Sequence, residues 1–231
     1  MRALRLIPLL TAAITSASAM QGIDGLDDIS VTFDVISYAS QEFSVGYFDD
    51  DWSSGNRYEL NGFTQQSDGE RVSPGGGVYV FYEEHDWKGD TFTGSGGTTQ
   101  ESANMETWGI GLQGGATIFL TPPEKKLSLA LVPYLRGGLG FVDFSAQDVV
   151  IDGARYDLSS GSNRVEVAAG VNLKLTVAQR FEVLFGGGVD YWSAADVALY
   201  AGTGGGGAAI GSNGTFTGTD AWLRLGAGLH F

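Results

Sequence analysis

The chain has 231 residues, with 36 glycines, no cysteine, and 27 acidic side chains against 13 basic ones, a formal charge of −14. That balance excludes a nucleic-acid partner, which needs clustered Lys and Arg against phosphate, and the missing cysteines exclude a disulfide-stapled scaffold. The glycines follow no three-residue period and occur with 12% aromatics, so neither a collagen nor a disordered polar tract fits, whereas one all-β domain does.

Residues 1–19 read MRALRLIPLLTAAITSASA. Arg2 and Arg5 precede a short apolar run, Leu6 to Ile14, and Ala17-Ser18-Ala19 closes the segment. This three-part layout is that of a secretory signal peptide, and its core is too short to span a bilayer. The expected organisation is a cleaved leader over 1–19 and a single domain over 20–231.

Residues 29–48 suggest one long strand with Ile29, Val31, Phe33 and Val35 on one face. Residues 57–65 and 77–87 suggest two more. The facing of 77–87 stays open, because Val78, Val80 and Tyr82 on one side and Tyr79 and Phe81 on the other are all apolar. From residue 107 the alternation becomes strict, a period of two that marks a strand between two different environments. It runs through 107–120, 127–142, 164–177, 181–193 and 221–231. One face of these five strands carries no charge, with Trp108, Ile110, Leu112, Leu135, Leu139, Val165, Val167, Phe185, Val189, Leu223 and Leu225 among its members. The opposite face carries Arg136, Arg164, Glu166, Lys174, Glu182, Asp190 and Arg224, together with most of the strand glycines.

These runs exceed the usual five or six residues of a globular strand. They match the roughly 9–11 that cross a bilayer obliquely, with an overhang. A lipid-facing Lys or Arg at mid-bilayer costs about 2–4 kcal/mol, which would purge one face of charge. In a narrow closed barrel, small residues must sit beside each large lumenal side chain, which accounts for the glycines on the other. Long and short connections alternate, with a 143–163 loop and a Gly-rich 194–220 loop on one side and tight turns at 66–76, 121–126 and 178–180 on the other. The expected fold is a closed antiparallel up-and-down transmembrane β-barrel of eight strands, with short periplasmic turns and long extracellular loops.

Phe231 ends the chain after alternating Leu223, Leu225, Ala227 and Leu229. This resembles the C-terminal strand of outer-membrane barrel proteins, in which a terminal aromatic is read by the barrel-assembly machinery; Leu225, Ala227, Leu229 and Phe231 would form that signal. VPYLRGGLGF (132–141) and GVNLKLTVAQRFEVLFGGGVDY (170–191) resemble the small barrel family that includes the OmpA transmembrane domain and the opacity-type surface proteins. The resemblance covers roughly residues 76–231. It implies a location in the outer membrane, with membrane lipid and the assembly machinery as partners and an extracellular ligand reached through the loops.

Pairing 177 with 181 across the turn makes Lys174 and Glu182 diagonal neighbours in the lumen. Arg136 is expected opposite Gly111. With Glu166, Asp190 and Arg224 these residues predict a plugging network, since buried charges must be paired to be tolerated. Acids crowd the segments expected outside: Asp49, Asp50 and Asp51, then Glu83, Glu84, Asp86 and Asp90. Asp49-Asp50-Asp51 is the densest carboxylate run and a candidate weak cation-binding loop, without the spacing of a defined calcium site. Barrel enzymes that edit lipids place a His and a Ser near the outer leaflet, and His85 is the one candidate, with no assignable Ser. No cofactor or metal is expected, nor catalysis. The leading function is a non-enzymatic outer-membrane barrel with a structural or adhesive, loop-presenting role and a lumen plugged by side chains. The alternatives are a narrow channel or small-molecule transporter and, third, a lipid-modifying enzyme.

Overall fold

Eight long strands carry the alternation into three dimensions: β1 (Asp28–Val45), β2 (Ser54–Gln65), β3 (Val72–Trp87), β4 (Ser102–Phe119), β5 (Leu127–Ile151), β6 (Ala154–Val177), β7 (Phe181–Val197) and β8 (Gly214–His230). The computed structural model describes residues 28–45, 48–51, 54–66, 71–87, 102–151, 154–197, 200–201, 208–209 and 214–231. The expected leader, 1–19, lies outside the described residues. Each strand pairs antiparallel with the next in sequence, and β8 pairs back onto β1 (Ser30 with His230, Val35 with Leu225), so the sheet closes on itself. Closure leaves no long edge with unpaired backbone groups, a requirement for any sheet that faces lipid.

The two faces separate as the sequence pattern requires. Leu135 is 68% exposed, Leu112 67% and Leu225 60% on the outside, and the outward alternation contains no charge through the middle of β4 to β8. Exposed charges sit at the rims instead. Arg71, Glu124, Lys125, Lys126 and Arg180 flank the short connections, and Asp86 and Asp143 lie toward the other end. A soluble protein rarely leaves so continuous an apolar belt in water; the belt is the lipid-facing surface of a transmembrane barrel.

Inside, glycines seat aromatic rings. A Cβ on Gly109 would lie 2.6 Å from Phe81, one on Gly188 2.6 Å from Trp222, and one on Gly170 2.7 Å from the Tyr134 hydroxyl. A Cβ on Gly111 would fall inside the Tyr79 phenol, and one on Gly218 inside the Trp192 indole. Large and small residues thus alternate around a narrow lumen occupied mostly by side chains.

Three details differ from the sequence-based expectation. The first strand does not run on to residue 48: it stops at Val45, and Phe48–Asp51 folds back to pair with it. The expected 143–163 loop is an extended β-hairpin, with β5 and β6 paired out to Ile151 and Ala154. Its outer part lies beyond Phe141 and above the apolar belt, where no lipid enforces alternation. Arg136 lies opposite Gln113, not Gly111, which faces Gly138. The Leu120 amide donates to the Leu129 carbonyl at 2.8 Å, so the turn is wider than expected and the register moves by two.

Candidate functional site: the lumenal charge network

The strands bring to one level of the lumen a cluster of side chains that are essentially inaccessible: Arg57, Glu59, Glu83 and Arg164 at 0–1% exposure, Glu166 at 1%, Arg136 at 4%. Arg57, on β2, is the hub. Its Nη1 and Nη2 donate to Glu166 at 2.8 and 2.6 Å, its Nη1 to Glu83 at 3.1 Å, and its Nε lies 2.6 Å from Glu59. Its guanidinium stacks 3.7 Å from the Phe81 ring centre. Arg164 donates to Glu83 at 2.5 Å and to Glu166 at 3.2 Å while lying over Trp192. Arg136 donates to Glu59 at 2.6 Å, and Arg224 pairs with Asp34 and approaches Glu59 at 3.6 Å. Tyrosines complete the set: Tyr79 donates to Glu166 at 2.9 Å and Tyr38 to Glu83 at 2.7 Å.

This arrangement suits guanidinium chemistry. A planar fork can donate to two carboxylates while its face rests on an aromatic ring, so charge and apolar contact are satisfied together. Buried ions are tolerated only when paired with opposite charge. The network links β1, β2, β3, β5, β6 and β8, binding opposite walls of the barrel across its interior.

Toward the short-turn end the lumen is more open. Lys174 lies 3.3 Å from Glu182, which also accepts from Ser30 at 2.9 Å and faces His230 Nδ1 at 3.0 Å; His230 Nε2 lies 2.5 Å from Asp28. A cavity of about 40 Å³ lies above, lined by Ser30, Thr32, Asn61, Asn172, Lys174 and Glu182. That is space for a few water molecules.

Of the residues singled out in the sequence, Arg136, Glu166 and Arg224 stand in the central network, and Lys174 meets Glu182 at the short-turn end. Asp190 stands apart from both groups. Its nearest cation is Arg136 at 4.0 Å, and neither of its oxygens accepts a hydrogen bond. Leu225, Ala227, Leu229 and Phe231 face outward on β8 and just beyond it, and the Phe231 amide donates to the Ile29 carbonyl at 2.9 Å. Asp49, Asp50 and Asp51 belong to the short strand on β1, and their side chains lie outside the described residues, as does Asp90.

Sequence reasoning missed Asp34, Arg57, Glu59 and Asp220 and misplaced Glu83 and His85. Glu83 and His85, expected at the outer surface, are 0% exposed in the lumen, 2.6 Å from each other. His85 therefore faces no lipid. The signal was present: Arg57, Glu59 and Asn61 alternate with Tyr58 and Leu60, and Glu83 and His85 continue the Tyr79, Phe81 face. Among the described residues no group of three or more His, Asp or Glu is placed to hold a metal ion.

No protein-family model and no curated protein matches the sequence. Among solved structures, the chain is similar to Ail, the attachment invasion locus protein of Yersinia pestis, at 14% identity and a TM-score of 0.41 over 88% of this chain and 98% of that one. It is also similar to Neisserial surface protein A at 14% identity and 0.39, over 85% and 96% of the two chains. A major outer membrane protein from Thermus thermophilus aligns at 12% identity and 0.46, over 88% and 99%.

Proposed function

We propose that the protein is an integral outer-membrane barrel that serves as a sealed scaffold, anchoring its long connections at the cell surface for a structural or adhesive role. The observation that carries this reading is the lumenal network: Arg57, Arg136, Arg164, Glu59, Glu83 and Glu166, all nearly inaccessible, fill the cross-section. A pore needs a continuous aqueous path, whereas these side chains stand across the middle of the lumen, with a cavity of about 40 Å³ at its short-turn end. The leader-like 1–19 segment supplies the export route, and the outward β8 pattern ending at Phe231 supplies a signal for the barrel-assembly machinery.

In this orientation the short turns face the periplasm. The β5–β6 hairpin, ten residues past Phe141 on β5, then rises roughly 25 Å beyond the belt, at about 3.3 Å per residue and a tilt near 40°. Such a projection suits contact with a partner outside the cell. A lipid-editing role finds no support in His85, which is buried against Glu83 and Tyr38. Conductance in planar bilayers tests the reading. A sealed scaffold leaves the membrane resistance unchanged, whereas steady ohmic openings would replace this function with that of a narrow channel.

A further inference from the structure

The lumen holds more carboxylates than cations, and the surplus sits in one place. In the middle and outer lumen, Arg57, Arg136, Arg164 and Arg224 face Asp34, Glu59, Glu83, Glu166, Asp190 and Asp220, all buried. The first four acids each touch a guanidinium. Asp190 has only Arg136 Nη2, at 4.0 Å, and Asp220 has no ion pair among the described residues. They are direct cross-strand partners on β7 and β8, 2% and 0% exposed. Both oxygens of Asp190 and Oδ1 of Asp220 lack a hydrogen-bond partner, and only Asp220 Oδ2 has one, the Trp192 indole N–H at 2.9 Å. The groups around the pair are Arg136, Arg164 and Arg57 from β5, β6 and β2, Glu83 from β3 and Tyr38 from β1. Even with Arg136 turned fully toward Asp190, six carboxylates share four guanidinium groups and the imidazole of His85, which lies 2.6 Å from Glu83.

Directly opposed like charges destabilise a sheet, and an unpaired buried carboxylate is costlier still. Among the residues whose side chains are described, no further Lys or Arg stands beside the pair, so a proton or a cation bound there would supply the missing positive charge. A metal ion would need further donors, and the described residues offer no third acidic or imidazole ligand placed for it. A proton needs none: an O–H···O bond between carboxyls on cross-strand partners would give a hydrogen-bond partner to one oxygen of each.

We propose that Asp190 and Asp220 together bind a single proton, held between them as a carboxylic acid–carboxylate pair, and that this bound proton reduces the surplus negative charge of the plug. The pair then acts as a clip between β7 and β8 at the outer half of the lumen. The inference concerns the barrel interior and does not depend on what the long connections contact.

Infrared spectroscopy of the folded, lipid-reconstituted barrel at pH 7 tests it. The wild-type spectrum is expected to contain a carboxylic-acid carbonyl band that shifts on ¹³C labelling of aspartate alone. The band is lost in Asp190→Asn and in Asp220→Asn, each checked for folding by its gel shift on boiling. The aspartate labelling works on the wild-type chain, so the test survives a variant that fails to fold. No such band, a band insensitive to aspartate labelling, or one that persists in both variants would overturn the proposal. So would a melting temperature that rises when sodium replaces potassium in the wild type and not in Asp190→Asn, since a metal cation would then occupy the pair.

Discussion

Glu166→Ala removes an acceptor on which four network hydrogen bonds converge. Glu166 accepts from Arg57 at 2.6 and 2.8 Å, from Tyr79 at 2.9 Å and from Arg164 at 3.2 Å. Each hydrogen bond to a charged group contributes about 1.5–3 kcal/mol, but the four do not sum. Arg57 retains Glu59 and Glu83, and Arg164 retains Glu83 at 2.5 Å, so both cations stay partly paired. Breaking one side of a buried ion pair costs about 3–5 kcal/mol, and the retained partners hold this case near the lower figure. For a domain of this size, about 3 kcal/mol lowers the melting temperature by roughly 6–12 °C. The assay is the temperature at which the folded band disappears in a gel-shift series, with urea unfolding in lipid as the free-energy measure. Exposed Glu124→Ala, in the turn before β5, is the control and should stay within about 0.5 kcal/mol of wild type. If Glu166→Ala matched that control, the network would not be what holds the walls together.

Other substitutions probe the remaining layers. Leu135→Arg puts a charge in the lipid belt, where Leu135 is 68% exposed, and should cost about 2–4 kcal/mol in bilayer unfolding, far more than the same change would on a wetted surface. Gly111→Ala drives a methyl into the Tyr79 ring and against the Gly137 carbonyl, so it should lose about 1–3 kcal/mol and weaken the Tyr79–Glu166 bond, readable by tyrosine fluorescence. Ala178 holds φ at 53° in the three-residue turn before β7, a conformation that a side chain disfavours by about 1–2 kcal/mol, so Ala178→Gly should raise the folded stability slightly. Phe231→Ala should leave the network intact yet slow insertion into the membrane in cells, measured as accumulation of unfolded chain.

The barrel was legible because lipid is a strict solvent. From β4 to β8 it removed every charge from one face across the belt, and five strands, their register across 178–180 and the Lys174–Glu182 contact followed from that alone. Legibility failed where the solvent contrast fades. Tyr79 and Phe81 look like lipid-facing residues, but they lie inside because they carry guanidinium groups on their faces. Arg57 and Glu59 sit on a short alternating run, RYELN, whose interleaved Tyr58 and Leu60 are too few to set a phase. Glu83 and His85 read as part of an acidic surface run because the pattern EEHD offers no apolar neighbour at every second position. Above the belt no lipid imposes a two-residue period, and residues 143–160 looked like loop although the ladder continues through them.

The central claim is that lipid covers the outside of a closed sheet whose charges are turned inward. The chain has no cysteine, so single cysteines can be placed at will. Fluorophores at Leu112→Cys, Leu135→Cys, Phe185→Cys and Leu225→Cys should be quenched by brominated acyl chains and shielded from iodide in the aqueous phase, while Thr107→Cys, at 0% exposure in the lumen, should resist labelling in the folded barrel. Iodide quenching of the four outward sites, with no effect of brominated lipid, would contradict the account.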